Sequence, residues 1–269
     1  MKNEKTDIMY RNWGLHSPKA VFLLVHGLGG YSSRWQFLAD FFLQHDISSY
    51  ALELRGFGPT KGPRGHVDSF EQYFEDIFCL RDIISKDNPG KKIFIIGESL
   101  GGLISFLAAA KTKKLFDGLI LLSPAFKTKY KLPIWDYIKV FASLFYNPMK
   151  QFYLHFVPKM YTRDVECQKR IAIDEQEGNV ATARLLTRIV LAQLSAAFVQ
   201  KKLEIPVLFL LSGVDMIVNS KASRRLFRTL QDEDKNIIEY STMYHALSID
   251  IGREKVFGDI LQWVNSRIQ

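Results

Sequence analysis

Short apolar segments alternate with longer amphipathic segments along most of the 269-residue chain. Most of the short segments are apolar throughout, which is typical of strands in a parallel sheet that is covered on both faces. A segment at 6–13 is expected to add an antiparallel edge strand. The predicted strands of the central sheet are 20–26, 48–54, 92–97, 119–123, 206–212 and 236–241.

The segments between these strands have helical periodicity. In 69–86, for example, Phe70, Tyr73, Phe74 and Ile77 begin a stripe of apolar side chains at three- and four-residue steps. Such a stripe lets one face of a helix pack on a sheet. The repeated order of strand and helix predicts an α/β fold, with a mostly parallel central sheet, flanking helices and right-handed crossovers. The predicted helices are 33–44, 69–86, 100–114, 222–230 and 253–267.

One interval, 127–202, has no convincing strand and reads as helical and irregular sequence. We therefore predict a core in two parts, 1–126 and 203–269, with 127–202 as a helical cap inserted after the strand at 119–123.

The first part of this cap is rich in aromatic residues. Segment 127–161 contains ten of them and six lysines against a single acid, Asp136. One interpretation is a helical insertion that packs a small core of its own on the sheet; another is a lid over an apolar pocket, with lysines at its rim. The two are compatible. The aromatic residues taken as candidate substrate contacts are Trp135, Tyr137, Phe141 and Phe145.

Composition limits the classes of function. The chain is 47% hydrophobic and 24% charged, as in globular proteins, with a net charge of +8. The basic residues form no arginine-rich tract or nucleic-acid motif, so nucleic-acid binding is not expected. No apolar run approaches the roughly 20 residues of a bilayer span, and the polar N-terminus lacks the apolar region of a secretory signal. Two cysteines, Cys79 and Cys167, are too few for a disulfide scaffold or a zinc site. A cytoplasmic protein is the simplest expectation.

The strongest chemical signal is 97–102, with the sequence GESLGG, at the boundary between a predicted strand and a predicted helix. This G-x-S-x-G pattern forms a tight turn, the nucleophile elbow, that presents a serine above the carboxyl edge of the sheet. The candidate nucleophile is therefore Ser99. The N-terminus of the following helix would direct backbone N–H groups at the reacting oxygen.

A serine nucleophile needs a base, and the base needs an acid that orients it. In chain order the acid and then the histidine follow the serine. We predict Asp215, just after the strand 206–212, and His245, on a short loop before the last helix. Both would lie at the sheet edge where open α/β sheets place their sites. Asp250 and Asp117 are weaker alternatives for the acid, because neither follows a strand.

The glycine-rich segment 26–30, with the sequence HGLGG, would complete the site. The backbone N–H groups of Leu28 and Leu100 are the predicted oxyanion donors, and His26 is expected to brace the loop. A dinucleotide loop is excluded because its third glycine position is Ser32. The chain carries no H-E-x-x-H, Walker A or paired-cysteine pattern, so we predict no metal and no other cofactor.

Together these residues resemble the monoglyceride lipase and lysophospholipase branch of the α/β-hydrolases, the group described as serine aminopeptidase S33-like, or Hydrolase_4. The resemblance covers nearly the whole chain, and the run RGHVDSF is its most branch-specific part. It implies a triad of Ser99, Asp215 and His245, with a cap that admits a single acyl chain. The segments that carry the resemblance are 26–30, 54–58, 62–70, 97–102, 161–164, 213–218 and His245.

The chain departs from this branch at three positions. Glu98 stands where histidine is common, Leu100 where methionine is usual, and Ala246 where glutamate is common. At Leu100 only the backbone N–H is needed for the predicted role as an oxyanion donor. The carboxylate of Glu98, beside the nucleophile, could perturb local protonation or disfavour anionic substrates.

We therefore expect a serine ester hydrolase that acts on lipid-like substrates, foremost monoacylglycerols. A lysophospholipase, a short-chain carboxylesterase, an aminopeptidase and a non-catalytic binding protein are the alternatives, in falling order. An aminopeptidase needs cap carboxylates for the substrate ammonium, and Glu166, Asp174, Glu175 and Glu177 are available. The cap lysines predict peripheral contact with anionic membranes, at about 1 kcal/mol each.

Overall fold

The structure is a computed structural model that describes residues 8–112, 114–129, 134–200 and 203–268. At its centre lies a seven-stranded sheet with the strand order β1-β3-β2-β4-β5-β8-β9. Every pairing is parallel except that of the edge strand β1 with β3. The strands are β1 (Tyr10–Trp13), β2 (Ala20–Val25), β3 (Ile47–Leu52), β4 (Lys92–Glu98), β5 (Gly118–Leu122), β8 (Val207–Ser212) and β9 (Lys235–Tyr240).

Helices cover both faces of this sheet, which explains why its central strands are apolar throughout. On one face, α1 (Gln36–Leu43) and α9 (Arg253–Asn265) pack against β2, β4 and β5 through a buried apolar cluster. On the other face lie α2 (Phe70–Asp87), α3 (Leu100–Lys111) and α8 (Ser220–Thr229). The predicted mostly parallel α/β architecture is thus present.

The interval between β5 and β8 forms a layer above the carboxyl ends of the strands. Its longest helix, α7, rests on α3, and α4 packs against α7. Because parallel strands end at the same edge, this layer covers the edge at which open α/β sheets carry their sites. The helices of the interval are α4 (Ile134–Tyr146), α5 (Pro158–Tyr161), α6 (Val165–Ile173) and α7 (Ala183–Val199).

The expectation that this interval contains no strand is wrong. Two short strands, β6 (Gln151–Tyr153) and β7 (Val180–Thr182), pair antiparallel within it. Three residues are too few for an alternating pattern to be recognised, and the partners lie far apart in the chain, so no hairpin signal marks them. The division into 1–126, 127–202 and 203–269 remains a prediction.

Other differences are at element ends. The edge strand begins at Tyr10, and residues 6 and 7 of its predicted range lie outside the described residues. Helix α3 ends at Lys111 instead of residue 114. Among the described residues, none of the helices combines the length and the apolar character needed to cross a bilayer.

Candidate active site

Ser99 lies at the sharp turn from β4 into α3. Its backbone has φ +57° and ψ −119°, a combination that a residue with a side chain rarely adopts. The flanking glycines are required by packing: a Cβ atom would lie 2.4 Å from the Gly101 carbonyl oxygen at Gly97, and 2.0 Å from the Val25 carbonyl oxygen at Gly101. The turn therefore has the geometry of a nucleophile elbow.

A second glycine-rich loop closes on the elbow from β2. A Cβ atom at Gly27 would lie 3.0 Å from the Cβ atom of Ser99, so only glycine allows this approach without a shift. The next residue, Leu28, lines the same cavity as Ser99 and Leu100. Because Leu100 is the first residue of α3, its N–H has no acceptor within the helix and is available to a ligand.

His26 braces this loop, as its position predicts. The Leu54 N–H donates to Nε2 over 3.0 Å, so Nδ1 carries the proton and donates to the Gly27 carbonyl oxygen over 2.9 Å. Burial lowers the pKa of His26 to about 4. The side chain is therefore neutral near pH 7, and it acts as a structural link between the glycine-rich loop 26–30 and the end of β3.

His245 and Asp215 form a buried pair at the carboxyl edge of the sheet. The Nδ1 atom of His245 lies 2.8 Å from Oδ2 of Asp215, and Oδ1 accepts the backbone N–H groups of Ile217 and Val218, each over 2.8 Å. Burial alone would raise the pKa of Asp215. The attraction of His245, its hydrogen bond and the two backbone N–H groups outweigh burial and hold that pKa below its usual value. An ionised Asp215 can then fix the imidazole ring with Nε2 free to act.

Two neighbouring strands bring this pair together. Asp215 follows β8 and His245 follows β9, and the loops are joined because the Val214 N–H and the Ser212 Oγ both donate to the Met243 carbonyl oxygen. Asp215 and His245 are not among the described lining residues of the Ser99 cavity, but their neighbours Ile217, Val218 and Tyr161 are. The rings of Tyr161 and His245 are 6.2 Å apart between centroids.

The alternative acids lie elsewhere. The buried carboxylate of Asp250 pairs with Arg163 over 3.0 Å and accepts the Tyr244 N–H over 2.8 Å. Asp117 accepts the N–H of Ile93 near the opposite end of β4. Of the three aspartates, Asp215 is therefore the one that contacts His245.

Ser99 opens into a cavity of about 400 Å³ beneath the cap. None of its lining residues is charged, so the described cavity is suited to an uncharged, largely apolar ligand. The lining residues are Leu28, Ser99, Leu100, Ala125, Thr128, Tyr137, Val140, Phe141, Leu154, Phe156, Tyr161, Leu186, Thr187, Ile189, Val190, Gln193, Ile217 and Val218.

The four predicted cap contacts divide into two pairs. Tyr137 and Phe141 line the cavity, whereas Trp135 and Phe145 lie outside its lining and are exposed by 69% and 79%. Residues four positions apart share a helix face, so Tyr137 and Phe141 point the same way, whereas Trp135, two positions before Tyr137, points away from them. Phe145 continues the face of Phe141 one turn farther along α4 and lies outside the described lining of the cavity.

Helix α7 contributes lining residues to the cavity, although none of the predicted site residues lies on it. Leu186, Ile189, Val190 and Gln193 occupy positions i, i+3, i+4 and i+7 of the helix and line one wall. This periodicity is readable in the sequence as one helix face. It does not reveal what the face covers.

Three of the four carboxylates considered for an aminopeptidase, all but Glu175, are engaged with other groups. Glu177 forms a bidentate, buried ion pair with Arg34, with distances of 2.8 and 2.6 Å. Asp174 accepts the Tyr31 hydroxyl over 2.7 Å, and Glu166 pairs with Lys169 at the surface. The described residues also hold no cluster of three or more His, Cys, Asp or Glu side chains suited to a metal ion.

Relatives of known activity resemble the chain over nearly its whole length. It is 27% identical to the monoglyceride lipase of Mus musculus over 264 residues, 94% of this chain and 84% of the relative. The crystal structure of the Paleococcus ferrophilus monoacylglycerol lipase superposes on this chain with a TM-score of 0.87 at 27% identity, covering 97% of this chain and 99% of that one. The prediction of an ester hydrolase with the α/β-hydrolase fold is confirmed by these matches.

The fold is shared still more widely. A soluble variant of the monoglyceride lipase of Saccharomyces cerevisiae, solved with a substrate analogue, superposes with a TM-score of 0.84 at 20% identity, over 96% of this chain and 91% of that one. Residues 16–252 match the family described as Hydrolase_4, serine aminopeptidase, S33. That match covers most of the chain, so the protein belongs to the serine aminopeptidase S33 family.

Proposed function

We propose that this protein hydrolyses monoacylglycerols through an acyl-enzyme on Ser99, with His245 as the base and Asp215 as the orienting acid. The observation that carries this proposal is the position of Ser99, at a strained elbow that opens into an apolar cavity whose described lining residues carry no charge. The hydrogen-bonded His245–Asp215 pair at the same edge supports the assignment.

In the proposed reaction, Nε2 of His245 takes the proton of the Ser99 hydroxyl while Asp215 holds Nδ1. The serine oxygen attacks the ester carbonyl, and the N–H groups of Leu28 and Leu100 donate to the negative oxygen that forms. Glycerol leaves with the proton from His245. Water then attacks the acyl-enzyme with the same base and releases the fatty acid and Ser99.

The acyl chain is proposed to occupy the cavity beneath α4 and α7. Burial of each CH₂ group is worth about 0.8 kcal/mol, so ten groups contribute roughly 8 kcal/mol before the costs of association. The described lining of the cavity has no charged side chain, so it suits a neutral glycerol group better than a phosphate. Arg34, whose guanidinium lies 4.6 Å from the Tyr161 ring centre, is already paired with Glu177. We therefore favour monoacylglycerols over lysophospholipids.

A series of monoacylglycerols of increasing acyl length tests this proposal, with wild type, Ser99→Ala and Ser85→Ala as the proteins. We expect activity that peaks at medium or long chains, persists in Ser85→Ala, on α2, and is lost in Ser99→Ala by a factor on the order of 10⁶. A preference for lysophospholipids or for short esters alone would contradict the substrate. Labelling of Ser99→Ala by a fluorophosphonate would contradict the nucleophile.

The cap also supports a proposal of peripheral membrane contact. Helices α4 and α7 expose large apolar side chains beside the cavity, among them Phe145 and Phe198, each 79% exposed. An exposed apolar patch of this kind marks an interaction surface. Some predicted rim lysines are engaged, since Lys139 pairs with Asp136 and Lys129 donates to the Asp215 carbonyl oxygen. Apolar insertion is thus proposed as the main contribution, and lysine attraction as a smaller one.

Co-sedimentation with neutral and anionic vesicles separates the two contributions. We expect Phe145→Ser with Phe198→Ser to abolish most binding to both vesicle types, and added anionic lipid to strengthen binding of the wild type. Binding of the wild type that does not respond to anionic lipid would remove the electrostatic part. Unchanged binding of the double variant would remove the apolar part.

A further inference from the structure

Glu98 joins the nucleophile elbow to the loop that carries His245. Its side chain is buried, with 4% exposed. Its two oxygens both bind Ser248: Oε1 accepts the backbone N–H over 3.0 Å and Oε2 accepts the hydroxyl over 2.8 Å. Ser248 is itself fully buried and lies three residues after His245. The residue beside Ser99 therefore holds the histidine loop through two hydrogen bonds.

A carboxylate at this place needs an explanation, because burial of a charged group is costly unless hydrogen bonds and nearby charges compensate it. Burial outweighs the opposing effects of the two bonds from Ser248 and of the nearby His245 and Arg34, and it raises the pKa of Glu98 above its usual value. The groups that face His245 and Glu98 from neighbouring elements are Asp215, Tyr161 and Arg34. The charged form of Glu98 thus depends on contacts with the catalytic loop.

The same loop has further attachments, beyond the bonds of the Met243 carbonyl oxygen and of His245 described above. The Tyr244 N–H donates to Asp250 over 2.8 Å, and the Ala246 N–H donates to the Tyr161 carbonyl oxygen over 2.9 Å. The first bond connects Tyr244 to the end of the loop, and the second connects Ala246 to the cap. The contact between Glu98 and Ser248 leads to the elbow itself, so it can set the position of His245 relative to Ser99.

We propose that Glu98 is a positioning residue for the reaction, which fixes the distance and orientation of His245 toward Ser99 through the two hydrogen bonds to Ser248. The inference rests on the proposed function, because it assigns a role in presenting the base to the nucleophile. A displacement of about 1 Å in such a pair can lower the rate about 100-fold. Binding of the acyl chain, in contrast, does not depend on this contact.

The test is a double-mutant cycle with Glu98→Ala and Ser248→Ala, measured as kcat and KM on the monoacylglycerol that the wild type prefers. We expect Glu98→Ala to lower kcat about 30- to 100-fold and Ser248→Ala about tenfold, with KM changed less than about threefold. The double variant should have almost the same kcat as Glu98→Ala alone, because the contact with Ser248 is already lost in that single variant. Glu98→Gln should recover much of kcat, since its amide oxygen still accepts one bond.

Glu53→Gln is a matched control. Glu53 is also a buried carboxyl that accepts a backbone N–H, that of Ser32 over 3.0 Å, and burial raises its pKa as well. We expect its kcat to stay within about twofold of the wild type. Circular dichroism and thermal unfolding identify any variant that fails to fold, in which case Glu98→Gln and Ser248→Ala form the cycle.

Three results would overturn the inference: a kcat of Glu98→Ala within threefold of the wild type, additive losses in the double variant, or an equal loss in Glu53→Gln. Failure of the proposed function is different, because the wild type itself would then not hydrolyse monoacylglycerols. If the wild type hydrolyses monoacylglycerols and all Glu98 variants have the same kcat, only the role of Glu98 is contradicted.

Discussion

The elbow region and the cap are built on opposite principles. Around Ser99 the backbone is so closely packed that three glycines are needed, and the neighbouring carboxyls of Asp215 and Glu98 are fully hydrogen-bonded. On α4 and α7, in contrast, large apolar side chains are exposed. Catalysis depends on groups that are fixed before the substrate arrives. Entry of the proposed lipid substrate depends on an apolar surface that can adapt to it. The sheet edge is therefore the rigid region, and the cap is the region with exposed apolar area.

After Ser99→Ala, the largest effect is expected for Asp215→Asn, which removes the charge beneath the imidazole and favours the wrong tautomer. We expect kcat to fall by a factor on the order of 10⁴ with KM little changed. Asp117→Asn, near the opposite end of β4, is the control and should keep its activity. Full activity in Asp215→Asn would show that another acid serves His245, and Asp250 would be examined next.

The next prediction concerns the contact between the glycine-rich loop and the cap. Gly29 has φ +80°, and a Cβ atom there would lie 2.2 Å from the carbonyl oxygen of Gly178 in the cap interval. Gly29→Ala should displace the loop that carries Leu28 and lower kcat about 100- to 1000-fold.

Gly62→Ala is the control for backbone strain, because Gly62 also has a positive φ, +105°, but open space around its Cα. It should lose only about 1–2 kcal/mol of stability and keep its kcat. Similar kinetics for the two variants would mean that the closeness of Gly29 to the cap has no catalytic role.

A third prediction concerns pH. An unfolded histidine binds a proton below its ordinary pKa of 6.5, whereas folded His26 binds one only near its lowered pKa of about 4. The unfolded state therefore gains stability relative to the folded state as pH falls from 6.5 to 4, and the protein loses about 3 kcal/mol of unfolding free energy from this group.

Denaturant unfolding across that pH range measures this loss. His26→Gln should show a shallower decline than the wild type, and His16→Gln, at an exposed position, should decline like the wild type. Equal declines for all three proteins would contradict a buried, neutral His26 as the link between the glycine-rich loop 26–30 and β3.

The same contrast explains what the sequence predicts. The strands, the elbow at Ser99 and the order of Asp215 and His245 are readable because each depends on a local pattern or on where a strand ends. The contact of Glu98 with Ser248 and the ion pair of Arg34 with Glu177 join residues more than 140 positions apart, without any local signal.

The cap was predictable only in outline. Its aromatic content indicates an apolar lining, but the four candidates on α4 could not be divided before the direction of the helix was known. The short strands β6 and β7 are stabilised by their pairing with each other, not by their own sequences. Packing between segments that are distant in the chain therefore determines the features of the cap that the local sequence pattern does not predict.

The smallest effect concerns Phe141 and Phe145, which lie one helical turn apart on α4 with ring centres 5.4 Å apart. Only Phe141 lines the cavity. Phe141→Ala should lower kcat/KM about tenfold for long acyl chains, because part of the apolar contact with the chain is lost. Short esters should be unaffected, since they do not reach α4.

Phe145→Ala is the matched variant and should change neither substrate by more than about twofold, as expected of an exposed surface substitution. Monomeric substrates, kept below the concentration at which they aggregate, separate this measurement from membrane binding. Equal losses in the two variants would mean that α4 acts as a whole, for instance by opening and closing. A loss confined to Phe141→Ala and to long chains would place the acyl chain against this face of the cap, as the cavity beneath it predicts.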